Sequence, residues 1–294
     1  MLNKMKTSAL AIGLSLAAAA LGCSEDGKGG FLPENDLYIP AGMKAINTGI
    51  TKAQFDEAID KVEKVYAPIV SNMGGKLMID RKWEDGTVNA YAEQAGATWK
   101  VAMFGGLARH KTITQDGMSL VVCHEIGHHI GGAPKKVRAI STWASNEGQA
   151  DYFSSLKCLR KAFLNDDNAK IVAAMTVPAS VTEACKKATK NDKEDTALCV
   201  RISMAGKSVA NLFSVLSNLP DTKFDTPDAN VVIKTDDNHP KAQCRLDTYF
   251  QGALCDVSFN EDVSQKDEVK GTCHNTLGHK TGTRPLCWFK PKSI

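Results

Sequence analysis

His124, Glu125 and His128 form an HExxH run inside CHEIGHHIGG, Cys123–Gly132. On an α-helix, residues four apart lie one turn above each other on the same face, so both imidazoles can reach one metal ion. Glu125 follows the first histidine directly, which sets its carboxylate beside that metal and within reach of a bound water. Metal-assisted hydrolysis is the chemistry such spacing serves. The segment SNEGQAD offers a third ligand, because Glu147 begins an ExxxD pattern that ends at Asp151. These two residues share a helix face. One carboxylate can ligate the metal while the other accepts the free ring N–H of a ligating histidine, His124, and so fixes its tautomer. Two histidines, a glutamate and a water complete an open tetrahedral site for one Zn2+ per chain. Alone, an ExxxD pair reads as a solvated face and Glu147 as a favourable charge near a helix start; its placement after HExxH tips the reading towards a ligand. His129 points about 100° around the helix and reads as a packing or solvent-facing residue. His110, His274 and His279 have no partner pattern and read as ordinary surface or loop histidines.

Several elements must position these groups. Thr51 and Gln54 fit a capping box, and Phe55, Ile59, Val62, Tyr66 and Ile69 then recur at helical spacing up to Gly74-Gly75. Three strands are expected next, over 76–83, 87–93 and 98–104, with a turn at Asp85-Gly86. They would make a small antiparallel sheet beside the HExxH helix, with an edge strand able to pair with an extended peptide. Thr114 caps the metal-motif helix, which runs from Gln115 until Gly131-Gly132 and Pro134 end it. Gly127 inside it costs roughly 1 kcal/mol against alanine, which a close approach by a neighbouring strand or ligand would explain. Further helices are expected over 146–163, 178–190, 195–216 and from His239-Pro240 to Leu254. The stretch 221–238 is polar and could cover the site, and the tail 272–291 needs a disulfide to stay ordered. The fold class is thus α+β and predominantly helical.

Lys4 and Lys6 precede an apolar run from Ala9 to Leu21 that ends in Leu21-Gly22-Cys23, the layout of a secretory signal. Residues 1–22 read as that signal, Cys23 as a lipidated first residue, 23–42 as its tether and 43–294 as one domain. Ordinary cleavage near this point, leaving a free protein, is the alternative. Nine cysteines are present, and setting Cys23 aside leaves an even eight. Up to four disulfides are expected in an oxidising compartment. Cys185 with Cys199, and Cys273 with Cys287, are the pairs suggested by proximity in sequence. The formal charge of +3 falls by the two lysines of the signal, and no long basic run occurs, which argues against a nucleic-acid partner. No second apolar stretch approaches the ~18 residues of a membrane span, so any membrane contact would pass through the lipid alone.

The runs VNAYAEQAGATWKVAMFGGLARH, DGMSLVVCHEIGHHIGG and NEGQADYF resemble the gluzincin metallopeptidases typified by the HtpX-like and CaaX-prenyl-protease-like group, metallopeptidase family forty-eight. The resemblance spans about Val88 to Phe153, with an echo in NHPKAQCR, His239 to Arg245. It implies a zincin-like domain with His124, His128 and Glu147 as zinc ligands, Glu125 as general base and Asp151 orienting a ligand. It further implies His239 as oxyanion stabiliser, Arg245 supporting the site, and Asn89 and Ala90 on the strand that holds substrate backbone. Transmembrane helices and helical repeats carried by many members are missing here. An exported branch is therefore expected, acting on polypeptides in a bacterial cell envelope as a periplasm-facing lipoprotein of the outer membrane. The alternatives are a non-catalytic zinc-binding lipoprotein and an envelope chaperone on the same fold.

Overall fold

The computed structural model describes residues 30–42, 49–137 and 143–292. The expected signal, Cys23 and the tether up to residue 29 lie outside the described residues. Helix α1, Lys52–Asn72, starts at the capping box read from the sequence: Gln54 N–H donates to Thr51 Oγ1, and Thr51 N–H donates to Gln54 Oε1 at 2.9 Å. Its buried face is Phe55, Ala58, Ile59, Val62, Tyr66 and Val70, with Ile69 only partly covered. Strands β1 (Lys76–Lys82), β2 (Ala90–Ala95) and β3 (Thr98–Phe104) follow.

The sheet is mixed, with strand order β1-β3-β2, which corrects the expectation of an all-antiparallel sheet. β2 and β3 form an antiparallel hairpin through Gly96, whose φ of +56° suits glycine, but β1 runs parallel to β3. Parallel neighbours need a crossover of about a dozen residues or more, and here that crossover contains β2 itself. Asp85-Gly86 is therefore part of a crossing and not a hairpin turn. The Arg109 guanidinium, buried at the end of the short helix α2 (Gly105–Arg109), secures it by donating to the carbonyls of Ile39, Trp83 and Asp85.

Helix α3, Gln115–Ile130, carries the HExxH run and is buried from Gly117 to its end. Thr114 caps it, its Oγ1 accepting from Gly117 N–H at 3.0 Å. A Cβ at Gly127 would stand 3.1 Å from Ala150 Cα. The close neighbour that keeps this position glycine is thus the next helix, α4 (Glu147–Phe153). From α4 the chain continues through a π-helical turn, Ser154–Cys158, into α5, Leu159–Phe163. Then come α6 (Asn168–Ala173), α7 (Ala179–Ala188), α8 (Lys193–Leu216) and α9 (Ala242–Leu254). The architecture is α+β and mainly helical, with α1, α4 and α8 packed around α3.

Four disulfides hold this arrangement, as the even cysteine count suggested. Cys123–Cys158 ties α3 to the π-helical turn, and Cys185–Cys199 joins α7 to α8. The expected Cys273–Cys287 pair is not formed: Cys244 bonds Cys287 and Cys255 bonds Cys273. The reason lies in the tail, which folds back over α4 and α9. Trp288 is fully buried against Gly148 of α4, and its Nε1–H donates to Thr248 of α9. Both tail cysteines are thereby carried to cysteines at the two ends of α9. Phe31 and Leu32, placed in the tether from sequence, are likewise fully buried and belong to the core. Among the described residues no helix is long and apolar enough to cross a membrane.

Candidate metal centre

His124 and His128 occupy one face of α3, as their spacing requires, with ring centroids 4.7 Å apart. Each ring is oriented from behind. His128 Nδ1–H donates to the Ser145 carbonyl at 2.8 Å, and because a carbonyl can only accept, the lone pair must be on Nε2. His124 Nδ1–H donates to Asp151 Oδ1 at 2.7 Å, which likewise turns Nε2 inwards. Glu147, at the first position of α4, completes the group. Its Oε2 lies 3.2 Å from His124 Nε2, and its Oε1 lies 3.7 Å from His128 Nε2. The ligand atoms of His124, His128 and Glu147 all fall within 4.8 Å of one another, and all three residues are buried.

This cluster does not satisfy itself. His124 Nε2, Glu147 Oε2 and both carboxylate oxygens of Glu125 are buried without a hydrogen-bond partner. Orphaned polar atoms at this density cost stability, and a cation bound by two imidazoles and a carboxylate would remove the penalty from the ligand atoms. The donor set therefore fits a divalent metal ion. Burial alone would lower the His124 imidazole, but the Asp151 and Glu147 carboxylates outweigh it and hold it up at about 9. A cation on Nε2 takes the place of the proton those carboxylates attract. Burial drives His128 well below its ordinary value, into the neutral form that ligates. Burial would raise Glu147, yet His239, Lys136 and His128 hold it well below the usual carboxylate range. Glu125 goes the other way: burial, with the nearby Glu147 charge, pushes it up to about 8.

Asp151 is the hub of the layer behind the ligands. Besides His124 it accepts from Arg245 Nη2 at 2.6 Å and from the Tyr249 hydroxyl at 2.7 Å, all on Oδ1. Arg245 is fully buried and stacks 3.9 Å from the Phe213 ring centre. His239 reaches the cluster from the loop before α9, its Nε2 lying 3.5 Å from Glu147 Oε2. The structure thus gathers His124, Glu125, His128, Glu147, Asp151, His239 and Arg245 in one place.

Asn89, just before β2, and Ala90, its first residue, are brought beside this cluster through Phe31, but their acceptors are already taken by residues 31–32. Phe31 N–H donates to the Ala90 carbonyl at 2.7 Å and Leu32 N–H to Asn89 Oδ1 at 2.9 Å. His129 is neither ligand nor solvent-facing: it is stacked between Trp99 and Trp143, and its Nε2–H donates to the Lys100 carbonyl. His110 and His274, read as surface residues, are buried, each with Nδ1 bonded to a threonine two residues on; only His279 keeps partial exposure.

Sequence reasoning passed over three participants. Tyr249 stands four residues after Arg245 on the same face of α9, a spacing that could have flagged it. Lys136, whose Nζ lies 2.6 Å from Glu147 Oε1, and Phe31, whose ring meets His124 edge-on at 4.8 Å, carry no local signal. Compared with known proteins, the chain matches no family model, no curated protein and no solved structure. The functional reading accordingly rests on the site itself.

Proposed function

We propose that this protein is a zinc-dependent peptidase of the gluzincin type, with a zincin-like arrangement of α3, α4 and the sheet. The observation that carries the reading is the convergence of orphaned buried atoms: two inward lone-pair donors, His124 Nε2 and Glu147 Oε2, beside a carboxylate, Glu125, with neither oxygen bonded. A site built only to hold a structural ion has no use for Glu125. Two nitrogens and one oxygen suit zinc with one coordination position left open. Bound there, zinc would supply Lewis-acid activation of water and of a peptide carbonyl.

The residues of the chain account for the remaining work. Glu125 stands next to His124 in the chain with both oxygens unbonded, and in its carboxylate form, which a bound cation would favour, it can take a proton from water and pass it to the leaving amine. His239 can donate from Nε2 to the developing oxyanion, on the side of the cluster facing Glu147. Asn89, Ala90 and Arg245, which bond residues 31–32 of the chain itself, would hold the backbone of an extended peptide lying in that same place. Four disulfides fit an oxidising compartment, consistent with export to a cell envelope and with lipidation at Cys23.

A second reading, a non-catalytic metal-binding module, is favoured by one observation: residues 31–32 already occupy the acceptors of Asn89 and Ala90. Cleavage of denatured proteins by the purified chain, profiled by mass spectrometry with and without chelator, separates the two. The expected outcome is one zinc per chain and chelator-sensitive cleavage, with Glu125→Gln keeping the metal and losing activity by about 10²–10⁴-fold. Stoichiometric metal without cleavage of any substrate would establish the module instead.

A further inference from the structure

The segment lying on β2 is bound in the manner of a substrate. Phe31 N–H donates to the Ala90 carbonyl and Leu32 N–H to Asn89 Oδ1, while Asn89 Nδ2 donates to the Leu32 carbonyl at 3.3 Å. Arg245 Nη1 donates to the Phe31 carbonyl at 3.4 Å. The Phe31 side chain is fully buried in a pocket formed by His124, Phe213 and the Arg245 guanidinium. Immediately before it, the Gly30 carbonyl accepts from His239 Nε2 at 2.8 Å, the donor assigned above to an oxyanion. One peptide bond, Gly30–Phe31, therefore has its carbonyl oxygen on the oxyanion donor, its nitrogen on the edge strand and its following side chain in a closed pocket at a metal-ligating histidine. No side chain fits at residue 30, where a Cβ would stand 2.7 Å from the Ala90 carbonyl oxygen.

We propose that Gly30–Phe31 is a substrate of this site, and that the chain hydrolyses this bond in itself. The inference rests on the peptidase reading and extends it to a named bond. Water adds to the Gly30 carbonyl carbon, the bond from that carbon to Phe31 nitrogen breaks, and the proton taken by Glu125 goes to that nitrogen. One water is consumed; Gly30 ends as a carboxylate and Phe31 as an amino terminus. Recognition takes a small residue before the bond and a large apolar one after it, as Gly30 and Phe31 show. Because Cys23 lies on the departing side, the reaction would also part the domain from any lipid carried there.

The decisive experiment uses the full chain, stripped by chelator and then given zinc, with the amino terminus read by intact mass and terminal sequencing. The wild type is expected to yield a large product beginning at Phe31, while the chelated protein and Glu125→Gln stay uncut at this bond. Gly30→Val should slow the cut by roughly a hundredfold, because it displaces the carbonyl from His239. A wild type that cleaves an added peptide yet keeps Gly30–Phe31 whole overturns the inference and leaves the peptidase reading standing; cleavage of neither removes both. A readout independent of turnover is binding of a fluorescent KGGFLPEN peptide to metal-free Glu125→Gln protein. Adding Gly30→Val or Phe31→Asp should tighten that binding about tenfold by emptying the cleft. Equal affinity in both doubly substituted proteins would overturn the substrate-like placement.

Discussion

Helix α3 carries an acidic residue near each end, and the two have opposite surroundings. Asp116, in the first turn, receives two bonds from Arg201, from Nε to Oδ2 at 2.9 Å and from Nη2 to Oδ1 at 2.7 Å. The same guanidinium donates from Nη1 to Asp166 and Asn168, and lies 3.7 Å over the Phe163 ring. Glu125, about one and a half turns from the helix end, is buried with both oxygens bare. One cluster joins α3 to α6 and α8 by satisfying its members; the other leaves strong acceptors unpaired where a cation and a water would complete them. The contrast teaches that burial of charge is not by itself a sign of function here. What singles out the second cluster is the set of atoms left over.

Substitutions that exchange the two behaviours test this. The largest effect on stability is expected from Arg201→Met, which strands Asp116 and Asp166 and should cost about 3 kcal/mol, at the low end for a broken buried pair because the carboxylates keep some exposure. Denaturant unfolding would measure the loss, and the metal content should not change. Asp151→Asn should do the reverse, weakening metal binding by about 10–100-fold through His124. A competing chelator titration reads that shift; unchanged affinity would detach Asp151 from the site. In the metal-free protein at about pH 9, above the raised value of its carboxyl, Glu125→Gln should raise stability by about 1 kcal/mol, since it removes a bare buried carboxylate. A loss of stability there would mean that Glu125 has a structural partner after all.

The smallest effect is the pH dependence that Asp166 of the satisfied cluster contributes. Burial would raise Asp166, but its bonds to Lys61 and Arg201 prevail and hold it below the ordinary carboxylate value. Its contribution is therefore complete above that ordinary value and lost as pH falls through the lowered one. Unfolding followed from about pH 5 to pH 2 should show a decline of under ~1 kcal/mol from this group, given its partial exposure. Arg201→Met should flatten that part of the profile.

Much of the site was legible because it is local. HExxH and ExxxD are each one helical turn, and the i, i+4 rule places His124 over His128 and Glu147 near Asp151 without knowledge of the rest of the chain. The caps at Thr51 and Thr114 were readable for the same reason. His239 and Arg245 came from resemblance; only the folding of α9 against α4 puts Arg245 on Asp151.

By itself the sequence determined the helical character of the protein, the caps, an even set of bridging cysteines and the residues able to ligate a metal, all properties that depend on a few neighbouring residues. The tertiary structure alone decided the parallel pairing of β1 with β3, the partners of Cys273 and Cys287, and the burial of His129 between two tryptophans. It alone brought Gly30 to His239 across more than two hundred residues. Such contacts depend on how whole elements pack, and hydrophobic burial is non-directional, so no local pattern encodes them.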